Sequence, residues 1–252
     1  MATITDHEAQ QIDSANETGR TPVVFIHGLD PATVEEARRN PEVFAKKTVG
    51  QVADHVGEVI GKLTKKPAVI GHSFGGLLTQ IVAGRGLSAA SVAIDPAPFR
   101  GVLSLPISSL RSAMPVLGNP ANRGRAVALT LDQFKYGWAN ALSDEEATQL
   151  HETYHVPAPG APLFQAATAN LNPWTEAKVN SKSPDRGPLL IISGEKDHTV
   201  PWAIANASFK KQRRNEGVTE IKEVPNRGHA LTIDSGWRGV ADTALAFVKR
   251  FV

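Results

Sequence analysis

The chain contains no cysteine, which excludes disulfides and a thiol nucleophile. It also lacks any run of about 18 apolar residues, so no membrane-spanning helix is expected. The N-terminus has no charged and then apolar signal region, and a soluble, cytoplasmic protein is expected. Charge of either sign is not in excess: 27 basic against 25 acidic residues leave a formal net charge of +2. That balance argues against nucleic acid or an anionic membrane surface as a partner. The basic run from Lys210 to Arg214 reads as the solvated face and C-terminal end of a helix.

What the chain does have is concentrated in five residues, Gly71-His72-Ser73-Phe74-Gly75. They follow the apolar run Pro67-Ala68-Val69-Ile70 and precede a helix-like stretch from Gly76 to Ala83. Strand, sharp turn and helix are therefore expected, with a serine at the apex. Glycines on both sides let the turn close where a Cβ would clash, which pushes the Ser73 hydroxyl out of the sheet. The bland alternative is a glycine-rich turn with Ser73 as an N-cap. A serine hydroxyl is a poor nucleophile at neutral pH, so the catalytic reading requires a base and an acid elsewhere.

Both are present in the order that reading needs. Gly187 to Ser193 reads as a buried parallel strand, and the loop after it carries Asp197. Thr219 to Val224 is a further strand, leading into a loop with His229 ahead of a final helix. Ser73, Asp197 and His229 are thus each expected just past a strand's carboxyl end, where open α/β sheets build their sites. Asp95 also ends a strand candidate, Ala89 to Ile94, and is a rival acid.

These pieces resemble the α/β-hydrolase family, in particular its small esterase-like members. The residues that carry the resemblance are Val23 to Leu29 (strand plus oxyanion turn), Gly71 to Gly76 (nucleophile elbow), Gly194 to Pro201 (acid loop) and Gly228-His229-Ala230 (histidine loop). It implies an α/β fold, with a mostly parallel central sheet flanked by helices and a helical cap inserted before the acid-loop strand. It also implies a carboxylic ester hydrolase working through an acyl-enzyme, without metal or organic cofactor, on a small-molecule ester. Ser73 would be the nucleophile, His229 the proton carrier and Asp197 the acid that orients it. The backbone N–H groups of Leu29 and Phe74 would form the oxyanion hole. Asp197 is preferred to Asp95 because Gly194 to Pro201 matches the family's acid loop. Asp95 then reads as a carboxylate beneath the cap, bonded to backbone at the Pro96 turn. His27 and His72 read as structural histidines of their turns. Lactonase, C–C bond hydrolase and perhydrolase activities can share this triad, and a silent ligand-binding relative would keep the pocket alone.

The chain is expected to form one domain over 1–252, with a core of about 21–96 and 186–252 and a cap of about 97–185. Gln51 to Leu63 has helical spacing and should pack ahead of the elbow strand. Residues 1–20 are polar and weakly patterned, with fragments of a strand hairpin at Ile4-Thr5 and Gln11-Ile12 at most. In the cap segment eight prolines, from Pro106 to Pro184, break the pattern into short helices and loops. Its aromatic residues can roof an apolar pocket above Ser73, with Phe134, Trp138, Phe164 and Trp174 as candidate substrate contacts.

One interval departs from the family pattern. Only 45 positions separate Gly28 from Ser73, and no apolar run before Val49 supplies the strand that relatives place there. The expectation is that a helix and a strand of the natural polymer are missing between Leu29 and Asp30, which would leave an open sheet position beside Val23 to Ile26.

Overall fold

A computed structural model of the protein describes residues 3–26 and 34–252. The Leu29–Asp30 junction and the turn from His27 onward lie outside the described residues.

Among the described residues the core is a five-stranded sheet whose strands all run parallel: β1 (Val23–Ile26), β2 (Ala68–His72), β3 (Ala90–Ile94), β6 (Leu189–Gly194) and β7 (Thr219–Val224), in that spatial order. The apolar runs that suggested strands are the ones that form them, and β3 and β6 are buried at every position, as expected for strands covered on both faces. Three crossover helices, α4 (Val49–Gly61), α5 (Phe74–Gly84) and α10 (Trp202–Gln212), pack on one face. Right-handed crossovers that always step the same way along a sheet put their helices on a single side. The last helix, α11 (Trp237–Val248), covers the other face through Val240, Ala244, Phe247 and Val248, which meet Val92, Ile94, Leu190 and Ile192.

α5 is buried from Gly75 to Gly84, polar Thr79 and Gln80 included. The Gln80 Oε1 accepts from Gln212 Nε2 at 3.0 Å, so the amide that α5 brings into the core meets one from α10. An unpaired buried amide would cost about 1–3 kcal/mol.

The sequence from 97 to 185 forms a mainly helical insertion between β3 and β6: α6 (Ile107–Leu117), a 3-10 turn (Pro120–Gly124), α7 (Leu131–Gly137), α8 (Asp144–Tyr154) and α9 (Gly160–Thr168). It also holds a two-residue antiparallel pair, β4 (Ala126–Val127) with β5 (Ala158–Pro159). Runs that short carry no readable alternation, and the sequence reading anticipated only helices and loops. The insertion has its own apolar cluster, in which Phe134, Ala139, Ala147 and Leu150 pack with Ala230 of the histidine loop.

The N-terminal segment corrects the expectation of strand fragments. Residues Asp6–Glu17 form a helix, α1, whose N-cap Thr5 accepts from Glu8 N–H at 3.2 Å while Glu8 Oε2 accepts from Thr5 N–H at 2.7 Å. The signal was readable: Thr5-Asp6-His7-Glu8 is a capping box, whose two side-chain oxygens accept from two of the N–H groups a helix start leaves open.

In the short interval, residues 34–48 hold two small helices, α2 (Val34–Arg39) and α3 (Glu42–Ala45), and no strand. Among the described residues β1 is an edge strand, paired with β2 alone, and its Val23 and Phe25 are exposed. No described helix is long and apolar enough to cross a membrane.

Candidate active site

The register of the sheet decides which residues meet. His72 is level with Ile94, Ile94 with Ile192, and Gly194 with Val224. The residues that follow, Ser73, Asp95, the loop to Asp197 and the loop to His229, therefore leave the sheet at the same edge.

Ser73 sits between β2 and α5 with φ 56° and ψ −118°. This strained backbone is held by hydrogen bonds on both sides, from Ser73 N–H to Ile94 O at 2.9 Å and from Ala97 N–H to Ser73 O at 3.0 Å. Such a conformation costs about 1–3 kcal/mol and persists where the surroundings overdetermine it. A Cβ on Gly71 would run into the Gly75 carbonyl and Thr79 Oγ1, and one on Gly76 would lie 2.9 Å from Pro96 Cα. The glycines thus clear the turn. Although Ser73 occupies the N-cap position of α5, its side chain makes no capping hydrogen bond. Its hydroxyl meets His229 Nε2 instead, at 3.0 Å.

The other ring nitrogen, His229 Nδ1, lies 2.6 Å from Asp197 Oδ2. His229 and Asp197 are both buried. Asp197 Oδ1 accepts two backbone donors, Thr199 N–H at 2.6 Å and Val200 N–H at 2.8 Å. Burial alone would raise this carboxyl, but the His229 charge and hydrogen bond and the two backbone donors outweigh it and hold Asp197 below the usual carboxylate range. Ser73, His229 and Asp197 form one continuous hydrogen-bonded chain.

The histidine loop is fixed from behind. Arg227 grips Asp234 with two nitrogens, donates to Gly236 O at 3.0 Å, and lends its own carbonyl to Lys196 N–H at 2.8 Å. Asn226, with φ 58°, turns the chain out of β7, and its N–H is received by Glu195 Oε2 at 2.7 Å. The acid and histidine loops are therefore tied together. Sequence reasoning missed Arg227 and Asp234, although an Arg two residues before the histidine was a signal to look for its anion.

Of the four aromatic candidates, two reach the chain of three. Trp138 stands edge-on to His229, with ring centroids 4.6 Å apart, and Phe134 stacks on Trp138 at 6.1 Å. Phe164 and Trp174 instead line a separate cleft of about 230 Å³ with Arg123, Gln165 and Glu176, none of them a member of the chain of three. Which candidate faces Ser73 was not readable beforehand, because a stretch of short helices has no periodicity from which to infer which way each ring faces.

His72, read as a turn residue, lies with its ring 4.7 Å from that of His229 and 5.7 Å from Trp138. Burial and then the neighbouring His229 push it down to about 3, so it is a neutral imidazole. Asp95, expected to bond backbone at the Pro96 turn, is buried and bonds backbone elsewhere: its Oδ1 accepts from Gly194 N–H at 2.8 Å. Phe74 opens α5, so its N–H has no partner within the helix; Leu29, the other expected oxyanion donor, lies outside the described residues.

A sequence model of the alpha/beta hydrolase family matches residues 23–243. The chain belongs to that family, and its hydrolase fold with a parallel sheet follows. A comparison with curated proteins found no match. Among solved structures it is similar to the monoacylglycerol lipase of Paleococcus ferrophilus (18% identity, TM-score 0.56, covering 90% of this chain and 96% of that one). It is also similar to polyneuridine aldehyde esterase (16% identity, TM-score 0.58, 91% and 99% covered) and to a thioesterase domain from the curacin biosynthetic pathway (15% identity, TM-score 0.52, 90% and 92% covered). At these identities the likeness is one of fold.

Proposed function

We propose that the protein is a serine hydrolase of carboxylic esters with a largely apolar small-molecule substrate. It acts as a single domain over 1–252, in which segment 97–185 caps the site. The observation that carries this reading is the unbroken chain from Ser73 Oγ through His229 to Asp197, at 3.0 and 2.6 Å.

In this reading Ser73 Oγ attacks the acyl carbon while His229 Nε2 takes the hydroxyl proton, and the carbonyl electron pair moves onto oxygen. The resulting oxyanion is received by the N–H groups of Phe74 and Leu29, each worth roughly 3 kcal/mol of barrier where a donor is preorganised. His229 then passes its proton to the departing alcohol, leaving an acyl-Ser73. Water, deprotonated by the same imidazole, attacks the acyl carbon; the bond to Ser73 Oγ then breaks, His229 returns the proton to that oxygen, and the acid leaves. Asp197 fixes the tautomer with its proton on Nδ1 and stabilises the imidazolium in both halves. Trp138, edge-on to His229, closes the imidazole from one side and offers an apolar surface to the substrate.

The lipase, esterase and thioesterase domain among the similar solved structures are consistent with an acyl substrate. Hydrolysis of p-nitrophenyl esters of graded chain length tests the reading, with lactones and peracid formation assayed alongside. Ester turnover that depends on Ser73 supports it. Absence of turnover on every ester, with lactones or peracid formation active instead, would move the substrate class while keeping the site.

A further inference from the structure

Asp95 follows β3 directly, level with the position at which Ser73 leaves β2. Its backbone has φ 39°, unusual for a residue with a side chain, and its N–H is tied to Ile192 O at 2.8 Å. The carboxyl is buried. Oδ1 accepts from Gly194 N–H, while Oδ2 is met by no hydrogen-bond donor among the described residues. The side chains that act on this carboxyl are Asp197 and Ser193. His72 and His229 are the other titratable groups facing it, each with an atom within 4.8 Å of a carboxyl oxygen. Neither carboxyl oxygen is met by a lysine or arginine among the described residues.

Two buried carboxyls acting on one another do not both ionise without a cation for each. His229 is shared by one of them only. The donors decide which carboxyl keeps the proton. Asp197 receives Thr199 N–H, Val200 N–H and the His229 ring, whereas Asp95 receives one backbone N–H. The proton therefore belongs on Asp95, and Oδ2 is the oxygen free to carry it.

We propose that Asp95 is a neutral carboxylic acid whose Oδ2–H is donated to Asp197, extending the hydrogen-bonded chain to a fourth member and keeping Asp197 the single anion behind His229. Asp95 touches neither substrate nor reacting atoms, so it is a positioning residue. Burial and then the Asp197 charge push the Asp95 carboxyl well above the usual carboxylate range, in the same direction. The catalytic consequence rests on the serine hydrolase reading above, but the protonation does not.

The test has two readouts. Infrared spectra at neutral pH should show a protonated-carboxyl carbonyl band that vanishes in Asp95→Asn and persists in Ser73→Ala, which has no turnover. The acid limb of kcat/KM, which reports the base of the free enzyme, should be unmoved in Asp95→Asn, since the amide is neutral and can still donate to Asp197. In Asp95→Leu the donor is lost, Asp197 becomes more basic, and the limb should move to higher pH with kcat down on the order of tenfold. Absence of the band overturns the proposal. So does an acid limb shifted to lower pH in Asp95→Asn, which would mean that a charge had been removed. A loss of about 10⁴-fold in Asp95→Asn would make Asp95 the orienting acid instead, and wild-type kcat and profile in a folded Asp95→Leu would make it filler. Should Asp95→Leu not fold, the band and the Asn profile still decide. A wild-type protein with the band but without esterase activity would retire the proposed function and leave the protonation standing.

Discussion

At the scale of single residues, the conformation of Ser73 matters more than its identity. A serine in an N-cap position ordinarily satisfies the helix it precedes, yet here φ 56° and ψ −118° turn the hydroxyl away from α5 to His229. The strain is retained by backbone bonds to Ile94 and Ala97. Asp197 and Asp95 show the same residue type set to different tasks by their donors. We expect Asp197→Asn to lower turnover on an ester by about 10⁴-fold, because the amide presents the wrong partner to His229 Nδ1. Asp95→Asn should cost less than about tenfold, since its neutral isostere keeps the hydrogen-bonding capacity. Steady-state kinetics on the two variants, with circular dichroism to confirm folding, check the pair; a reversed order would place the acid on β3.

At the scale of elements, the two loops after β6 and β7 must hold acid and base at 2.6 Å, and Arg227 with Asp234 is their clamp. Arg227→Leu leaves the nearly fully buried Asp234 without its cation, and a loss of about 3–5 kcal/mol in unfolding free energy is expected. Urea denaturation measures it; a change under about 1 kcal/mol would show that the clamp is dispensable. The insertion offers a pH-dependent prediction. His155 Nε2 accepts from Leu129 N–H at 2.8 Å and is pushed down to about 4 by burial, then by His151 and Arg38. A depressed histidine stabilises the fold fully above its unfolded value of 6.5, and that contribution is lost as pH falls through about 4. The protection factor of the Leu129 amide, its exchange rate divided into the intrinsic rate at each pH, should therefore fall as pH drops between those values, and a protection factor flat across that window contradicts the assignment. Strands, elbow and the three chain members were legible because the buried strands β2, β3 and β6 leave apolar runs and each site residue lies at or within one loop of a strand's carboxyl end. The side-chain directions in the insertion and the Arg227 clamp were not, since they depend on tertiary partners; the Thr5 helix was legible in its capping box but was missed because the hydrophobic pattern alone was read there.

At the scale of the whole molecule, the sheet is covered on both faces except at its β1 end. α4, α5 and α10 cover one face and α11 the strands beyond β1 on the other, but there Val23 and Phe25 of β1 stay exposed, Phe25 at 70%, and the outer edge of β1 has no partner among the described residues. An edge of this kind invites pairing with other chains, and an apolar residue this exposed on a parallel sheet is a place where a covering helix is due. A further strand and helix inserted after Leu29 would close both. The mass of the natural protein from its source organism should then exceed the 26.9 kDa of this chain by roughly 3 kDa, the size of one crossover and strand. A natural mass of 26.9 kDa would mean that the short interval is the protein's own design and that β1 is a true edge.

The central claim, that Ser73 is a nucleophile activated through His229 and Asp197, is tested most directly by intact mass after exposure to a fluorophosphonate probe. The account predicts a single covalent adduct per chain, mapped by peptide sequencing to Ser73, absent in Ser73→Ala and formed at least a hundredfold more slowly in His229→Ala. A folded wild-type protein that takes up no probe, or that is labelled equally well with Ser73 replaced, would contradict it.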